Sequence, residues 1–281
     1  MLGKLIKHEY KQTGKMMLPL FGAVLVLTGL TKISMILADI TTARIPLQTS
    51  PHNVFSFITD LLAGITVFAF VAMMAAVVIL SVMRFYKNML GDEGYLMFTL
   101  PVTAEEHVFA KLLAAFTWTV AGIAICVGAM WLFIGSEVPM DVVSFLTVSK
   151  QAAAQYGIGV YLMPLLPMLA LVAGVFVTYL QFYTAISIGG QWQQNRLVAS
   201  VVAYVGINLA LQIIGVAVLS VFGMAVSSND ATVAATNNIF FENPVLMFNT
   251  IFGGIFLVLS VLGVVYFFVT RWLLSKKLNL A

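Results

Sequence analysis

Glu105 and Glu106, followed five residues later by Lys111, are the nearest approach to a catalytic constellation in this sequence. An acidic pair near a lysine faintly echoes motifs of membrane proteases. Such an enzyme needs closely spaced histidines to hold zinc beside an acidic base. The three histidines, His8, His52 and His107, are scattered, and no second helix supplies the missing ligands. Nucleotide hydrolysis needs a glycine-rich loop closed by Lys and Ser or Thr, which cradles phosphate and magnesium. The Gly-Lys pairs, Gly3-Lys4 and Gly14-Lys15, are followed by Leu and Met instead. A single cysteine, Cys126, lies in an apolar run and offers neither a disulfide framework nor a metal cluster. The expectation is a protein that is not an enzyme and has no metal or cofactor of its own.

The elements that carry these residues are almost wholly apolar. Of 281 residues 61% are hydrophobic and 9% charged, and mean hydropathy is +1.03, a balance that points to a membrane-embedded chain. The basic residues are too dispersed for a nucleic-acid surface. A helix crosses the hydrocarbon core with about 20 residues, and six stretches qualify, at about 17–38, 61–84, 111–136, 157–188, 197–226 and 245–271. The expected fold is therefore all-α and integral to the membrane. The fourth stretch lies in a charge-free region, 151–195, read as one span kinked by Pro164 and Pro167, with a re-entrant piece as the alternative. Two full spans there would put Lys276 and Lys277 on the side opposite the other cations.

Lys and Arg set the orientation. Lys4, Lys7, Lys11, Lys15, Arg84, Lys87, Lys111, Arg196, Arg271, Lys276 and Lys277 fall on one side, leaving Lys32, Arg44 and Lys150 for the other. Both termini are expected in the cytoplasm of a multi-pass plasma-membrane protein. The long connectors 39–60, 137–155 and 227–244 then face outward.

Residues 1–15 place Leu2, Leu5, Ile6 and Tyr10 at helical spacing among Lys4, Lys7, His8 and Lys11, which describes a basic amphipathic helix at the inner interface. A signal-peptide start fits poorly, because the basic part is long, includes Glu9 and leads to no small-x-small cleavage site. A plain positive-inside anchor is the other reading. Within the spans, Tyr179, Gln181, Tyr183 and Thr184 cluster late in the fourth, and Asn208 and Gln212 lie one turn apart in the fifth. Such groups bond between helices or line a substrate path.

The connector between the second and third spans is unusually charged, with Asp92, Glu93, Glu105 and Glu106. Asp92 is placed to cap a short helix that Pro101 ends, with Tyr95 and Leu96 on one face. Thr103-x-x-Glu106 is a capping-box pattern that starts a second helix through Lys111 into the third span. The connector reads as a cytoplasmic helix–break–helix elbow.

The run GDEGYLMFTLPVTAEEHVFAKLL, residues 91–113, resembles the segment between spans two and three in permease subunits of type-2 class ATP-binding-cassette exporters. The likeness is to those of Gram-positive anaerobic bacteria, where a DEGYLM-TLPV run precedes a Lys-Leu-Leu start to the third helix. The basic N-terminal segment and six-span layout extend the resemblance in outline along the chain, and 91–113 is its specific part. It implies that 84–100 includes a coupling helix docking on a separate ATPase subunit, through Asp92, Glu93, Gly94, Tyr95, Leu96 and Pro101. It implies that residues 1–15 form the neighbouring interface helix, and that two permease chains, as homo- or heterodimer, join two ATPase chains which bind the ATP and magnesium. The permease itself would move a hydrophobic or amphipathic substrate outward. The rival readings are an ion-coupled secondary transporter, which should carry ionisable groups near mid-membrane, a scaffold or sensor subunit that transports nothing, and, weakest, an integral membrane enzyme.

Overall fold

In the computed structural model the chain is described at residues 2–44, 54–90, 103–134, 142–192, 195–227 and 243–276. Seven α-helices occupy these segments: α1 (Leu2–Arg44), α2 (Val54–Leu90), α3 (Ala104–Ile134), α4 (Val142–Tyr156), α5 (Leu162–Gly189), α6 (Arg196–Ser227) and α7 (Pro244–Lys276). A single 3-10 turn, Ile158–Tyr161, precedes α5, and no strand occurs among the described residues. Six helices contain stretches long and apolar enough to cross a membrane, and α4 alone does not. The protein is all-α and multi-spanning, as its composition requires.

Two compact units divide the chain: residues 1–85 with 109–140, and residues 86–108 with 141–281. The first is built on α1, α2 and α3. Its apolar core is Met17, Phe21, Val24, Met73 and Val77, with Trp118 and Ile125 packed against it. Hydroxyl pairs tie α1 to α2 where hydrocarbon offers no other partner: Thr31 to Thr66 at 2.7 Å and Ser34 to Thr59 at 2.7 Å. Higher numbers on α1 meet lower numbers on α2, so the two are antiparallel.

The second unit packs α5 between α6 and α7. The α5–α7 pairs Gly174 with Leu259, Val177 with Gly263 and Thr184 with Thr270 rise together in number, so these helices run the same way. That is what spans separated by one return helix must do. Between α5 and α6 the approach is close at Gly189, where a Cβ would collide with Ser200 Oγ and with its backbone nitrogen. Only a glycine fits there. Two turns back along α5 and one turn on along α6, Phe182 and Tyr204 stack with centroids 4.5 Å apart. The outward faces remain apolar, as with Val205, Leu209, Ile213 and Val216 along α6.

Helix bounds correct several expectations. The separate interface helix at 1–15 is instead the first turns of α1, which runs unbroken through Met16 and past Pro19 to Arg44. The reason is a single buried stripe, Glu9, Thr13, Met17, Phe21, Val24, Thr28 and Thr31, whose spacing of three and four residues crosses the polar–apolar boundary without changing face. The outward loop expected at 39–60 is shorter, because α1 extends to Arg44 and α2 begins at Val54. The fourth span falls where expected, at Ile158–Gly189, but its first residues are not α-helical. Gly157, at φ 81°, ends α4, and the chain passes through the 3-10 turn before α5 starts at Leu162. Pro164 then sits in the first turn of α5, where a missing N–H costs nothing, and only Pro167 is internal.

Candidate functional site

The stripe on α1 begins with a charge. Glu9 is 2% exposed in a segment otherwise carrying Lys4, Lys7, Lys11 and Lys15, all of which are exposed. Its carboxylate is held on both oxygens: Lys111 Nζ of α3 donates to Oε1 at 2.6 Å, and Arg84 Nε of α2 donates to Oε2 at 2.9 Å. The side chains of Glu9 and Lys111 keep 3% and 4% of their accessibility, and Arg84 16%. Burial pushes the Glu9 carboxyl up, but Lys111 and Arg84 together more than offset it and hold the group below the ordinary glutamate range. The three residues come from three helices. Arg84 and Lys111 bracket the charged connector.

Neighbouring contacts extend this junction along α1. The Arg84 guanidinium also donates to Gln12 Oε1, whose amide nitrogen lies 3.2 Å from His8 Nε2. Tyr10 is half-buried, its hydroxyl bonded to Thr117 Oγ1 and 3.4 Å from the Leu113 carbonyl. Trp118 Nε1 donates to Thr13 Oγ1 at 2.8 Å, and its ring meets those of Tyr10 and Phe21. Every turn from Glu9 to Phe21 therefore touches the first part of α3.

At the start of α3, Thr103 and Glu106 exchange the two bonds of a capping box: the Glu106 N–H donates to Thr103 Oγ1 at 3.4 Å, and the Thr103 N–H to Glu106 Oε2 at 3.2 Å. Glu105 pairs with Arg271 of α7 at 2.6 Å, on a half-exposed surface where such a pair contributes at most about 1 kcal/mol. The connector residues Asp92, Glu93, Gly94, Tyr95, Leu96 and Pro101 lie outside the described residues.

Comparison with protein-family models, curated proteins and solved structures finds no match.

The residues named for a substrate path differ in exposure. Tyr179, Gln181 and Tyr183 are buried in α5, at 1%, 9% and 0% exposure. Asn208 is half-buried and turns its amide back to the Tyr204 carbonyl of its own helix at 2.8 Å, while Gln212 is exposed. The hydroxyls that actually join helices here are Thr184 and Thr270, 2.9 Å apart, with Thr184 also reaching the Tyr266 carbonyl. Tyr266 is buried at the same level, and its hydroxyl and the Gln181 amide nitrogen make no hydrogen bond among the described residues.

Sequence reasoning missed the Glu9 junction. The available signal was Glu9 itself: a lone acid among lysines, in register with Thr13, Met17 and Phe21. Charge counting assigned Arg84 and Lys111 to the membrane surface as orientation markers, and nothing in their spacing pointed to a common partner. Among the described residues no three His, Cys, Asp or Glu side chains are placed to hold a metal ion.

Proposed function

We propose that this chain is the permease subunit of a type-2 class ATP-binding-cassette exporter, working as a pair of permease chains with separate ATPase subunits. The observation that carries the reading is the junction of Glu9 with Arg84 and Lys111. A connector that receives force must be anchored at both ends, or its motion is absorbed locally. Here the residues that bracket the connector, at the end of α2 and the start of α3, share one carboxylate on α1. The capping box at Thr103 and Glu106 fixes where α3 begins, so a push on 91–102 is passed into a helix with a defined first turn.

In this reading ATP-driven closure of the ATPase dimer moves the connector. Tyr95 and Leu96 are its apolar knob, and Asp92 and Glu93 meet basic groups of the ATPase. The basic turns of α1, where Lys4, Lys7 and Lys11 are exposed, would serve as a second contact for the ATPase. The six spans supply an apolar route for a hydrophobic or amphipathic substrate, with Tyr179, Gln181 and Tyr183 as its polar points. ATP and magnesium belong to the partner subunit, and the location is the plasma membrane with both termini inside.

The test is co-purification of the ATPase, encoded by a separate reading frame, with the wild-type chain and with Leu96→Asp. Loss of the ATPase and of ATP-dependent transport in reconstituted vesicles is expected. Full recovery of both with Leu96→Asp would sink the assignment, and absence of any ATPase from the wild-type preparation would favour the scaffold or sensor reading.

A further inference from the structure

A groove of about 450 Å³ lies between α4 and the start of α5, within the about 300–1,000 Å³ typical of ligand pockets. Leu146, Val148 and Ala152 of α4 form one wall, and Val160, Met163 and Pro164 the other. Polar groups are confined to Ser149 and Tyr161. The chain breaks between the walls of the groove. Gly157, at φ 81°, a conformation that favours glycine, ends α4, and the 3-10 turn Ile158–Tyr161 leads into α5. Asn249 of α7 fixes that turn, donating to the Gly159 carbonyl at 2.8 Å.

We propose that this groove holds an acyl chain of an anionic membrane phospholipid, with Lys150 at the headgroup. The proposal rests on the multi-spanning architecture and not on the permease reading. One wall belongs to the apolar stretch Ile158–Gly189, so the groove opens at the end of a membrane span. The apolar molecule concentrated there is lipid. The sign of the headgroup follows from Lys150, which is exposed one turn from Leu146 and is the sole charged residue between positions 142 and 195. A peptide or substrate filling the groove would not need that cation, whereas a phosphodiester at the bilayer surface is attracted by it. Tyr161, half-exposed at the rim, supplies a hydroxyl at the same interface.

The experiment reconstitutes the full chain in phosphatidylcholine vesicles containing a trace of phosphatidylglycerol with a photoreactive acyl chain, and maps the label by peptide mass spectrometry. Label is expected to concentrate on residues 146–164 relative to the lipid-facing stretch 201–221. Ala152→Trp, which fills the groove, should bring the two segments to equal density while gel filtration remains unchanged; Val160→Trp repeats the test should the first variant misfold. Lys150→Gln leaves the groove intact and should lower phosphatidylglycerol labelling severalfold, because the cation that pairs with the phosphodiester is gone. The same variant should leave labelling by a phosphatidylcholine probe unchanged. Equal label density on both segments of the wild type would overturn the proposal. So would label that persists in both tryptophan variants, or label displaced by an apolar peptide but not by excess phosphatidylglycerol.

Discussion

Lys111 Nζ lies 2.6 Å from Glu9 Oε1, joining the first turns of α3 to the first turns of α1 across 102 residues of chain. The pair is buried, and Arg84 completes it from α2. Ions in such a setting are held by each other, so removing one partner costs more than the pair contributes relative to an apolar substitute.

Glu9→Gln keeps the shape and removes the charge between two cations. Loss of about 3–5 kcal/mol is expected, the range for breaking a buried pair from one side. A double cycle with Lys111→Met, read by thermal unfolding in mild detergent, should show coupling of about 0.5–3 kcal/mol, as for residues in direct contact. Additive losses would mean that the two side chains do not interact in the folded protein.

The same carboxylate sets a pH dependence. Its folded-state pKa is lowered, so its contribution is fully present above the ordinary glutamate value of 4.5 and is lost as pH falls through the lower folded value. The melting temperature of the wild type should therefore be insensitive to this group between pH 7 and pH 5 and decline below about pH 4.5. Glu9→Gln should lack that component of the decline. Identical acid limbs for the two proteins would contradict the assignment.

Gly189→Ala is expected to be severe for so small a change. The added methyl would collide with the backbone nitrogen of Ser200, which no rotamer change relieves. Separation of α5 from α6 should appear as a lowered melting temperature. It should also appear as loss of the Phe182–Tyr204 stack, read by cross-linking of cysteines introduced on the two helices. Gly206→Ala, where nothing lies within 4 Å, is the matched control and should behave as wild type.

Thr103→Ala should cost about 1 kcal/mol, typical of losing an N-cap. The first turn of α3 should then exchange its amide hydrogens faster while the membrane-spanning part of α3 is unaffected. Unchanged exchange at residues 104–107 would mean that the cap does not hold this turn.

The six spans were legible because length and hydropathy are properties of contiguous sequence, and lipid removes the need for anything subtler. The capping box was legible for a similar reason: Thr103 and Glu106 are close in sequence, and their bonds follow from a helix starting between them. Glu9 was not, because its partners lie 75 and 102 residues away and are lysine and arginine, the same residues that charge counting uses for orientation. The division of 142–164 into α4, a 3-10 turn and α5 depended on one backbone angle at Gly157, which composition does not report. The one-turn spacing of Asn208 and Gln212 does not say which face of α6 is covered, and of the two only Asn208 is half-buried.

The span of chain between Glu9 and Lys111 also imposes an order on biosynthesis. Glu9 is made early, yet Arg84 arrives only near the end of α2 and Lys111 only with the first turns of α3. Until residue 84 emerges the carboxylate of the first helix has neither partner, and until residue 111 emerges it has one of the two. The first unit thus has a built-in completion signal: its charges close on one another only when α1, α2 and α3 are all in place.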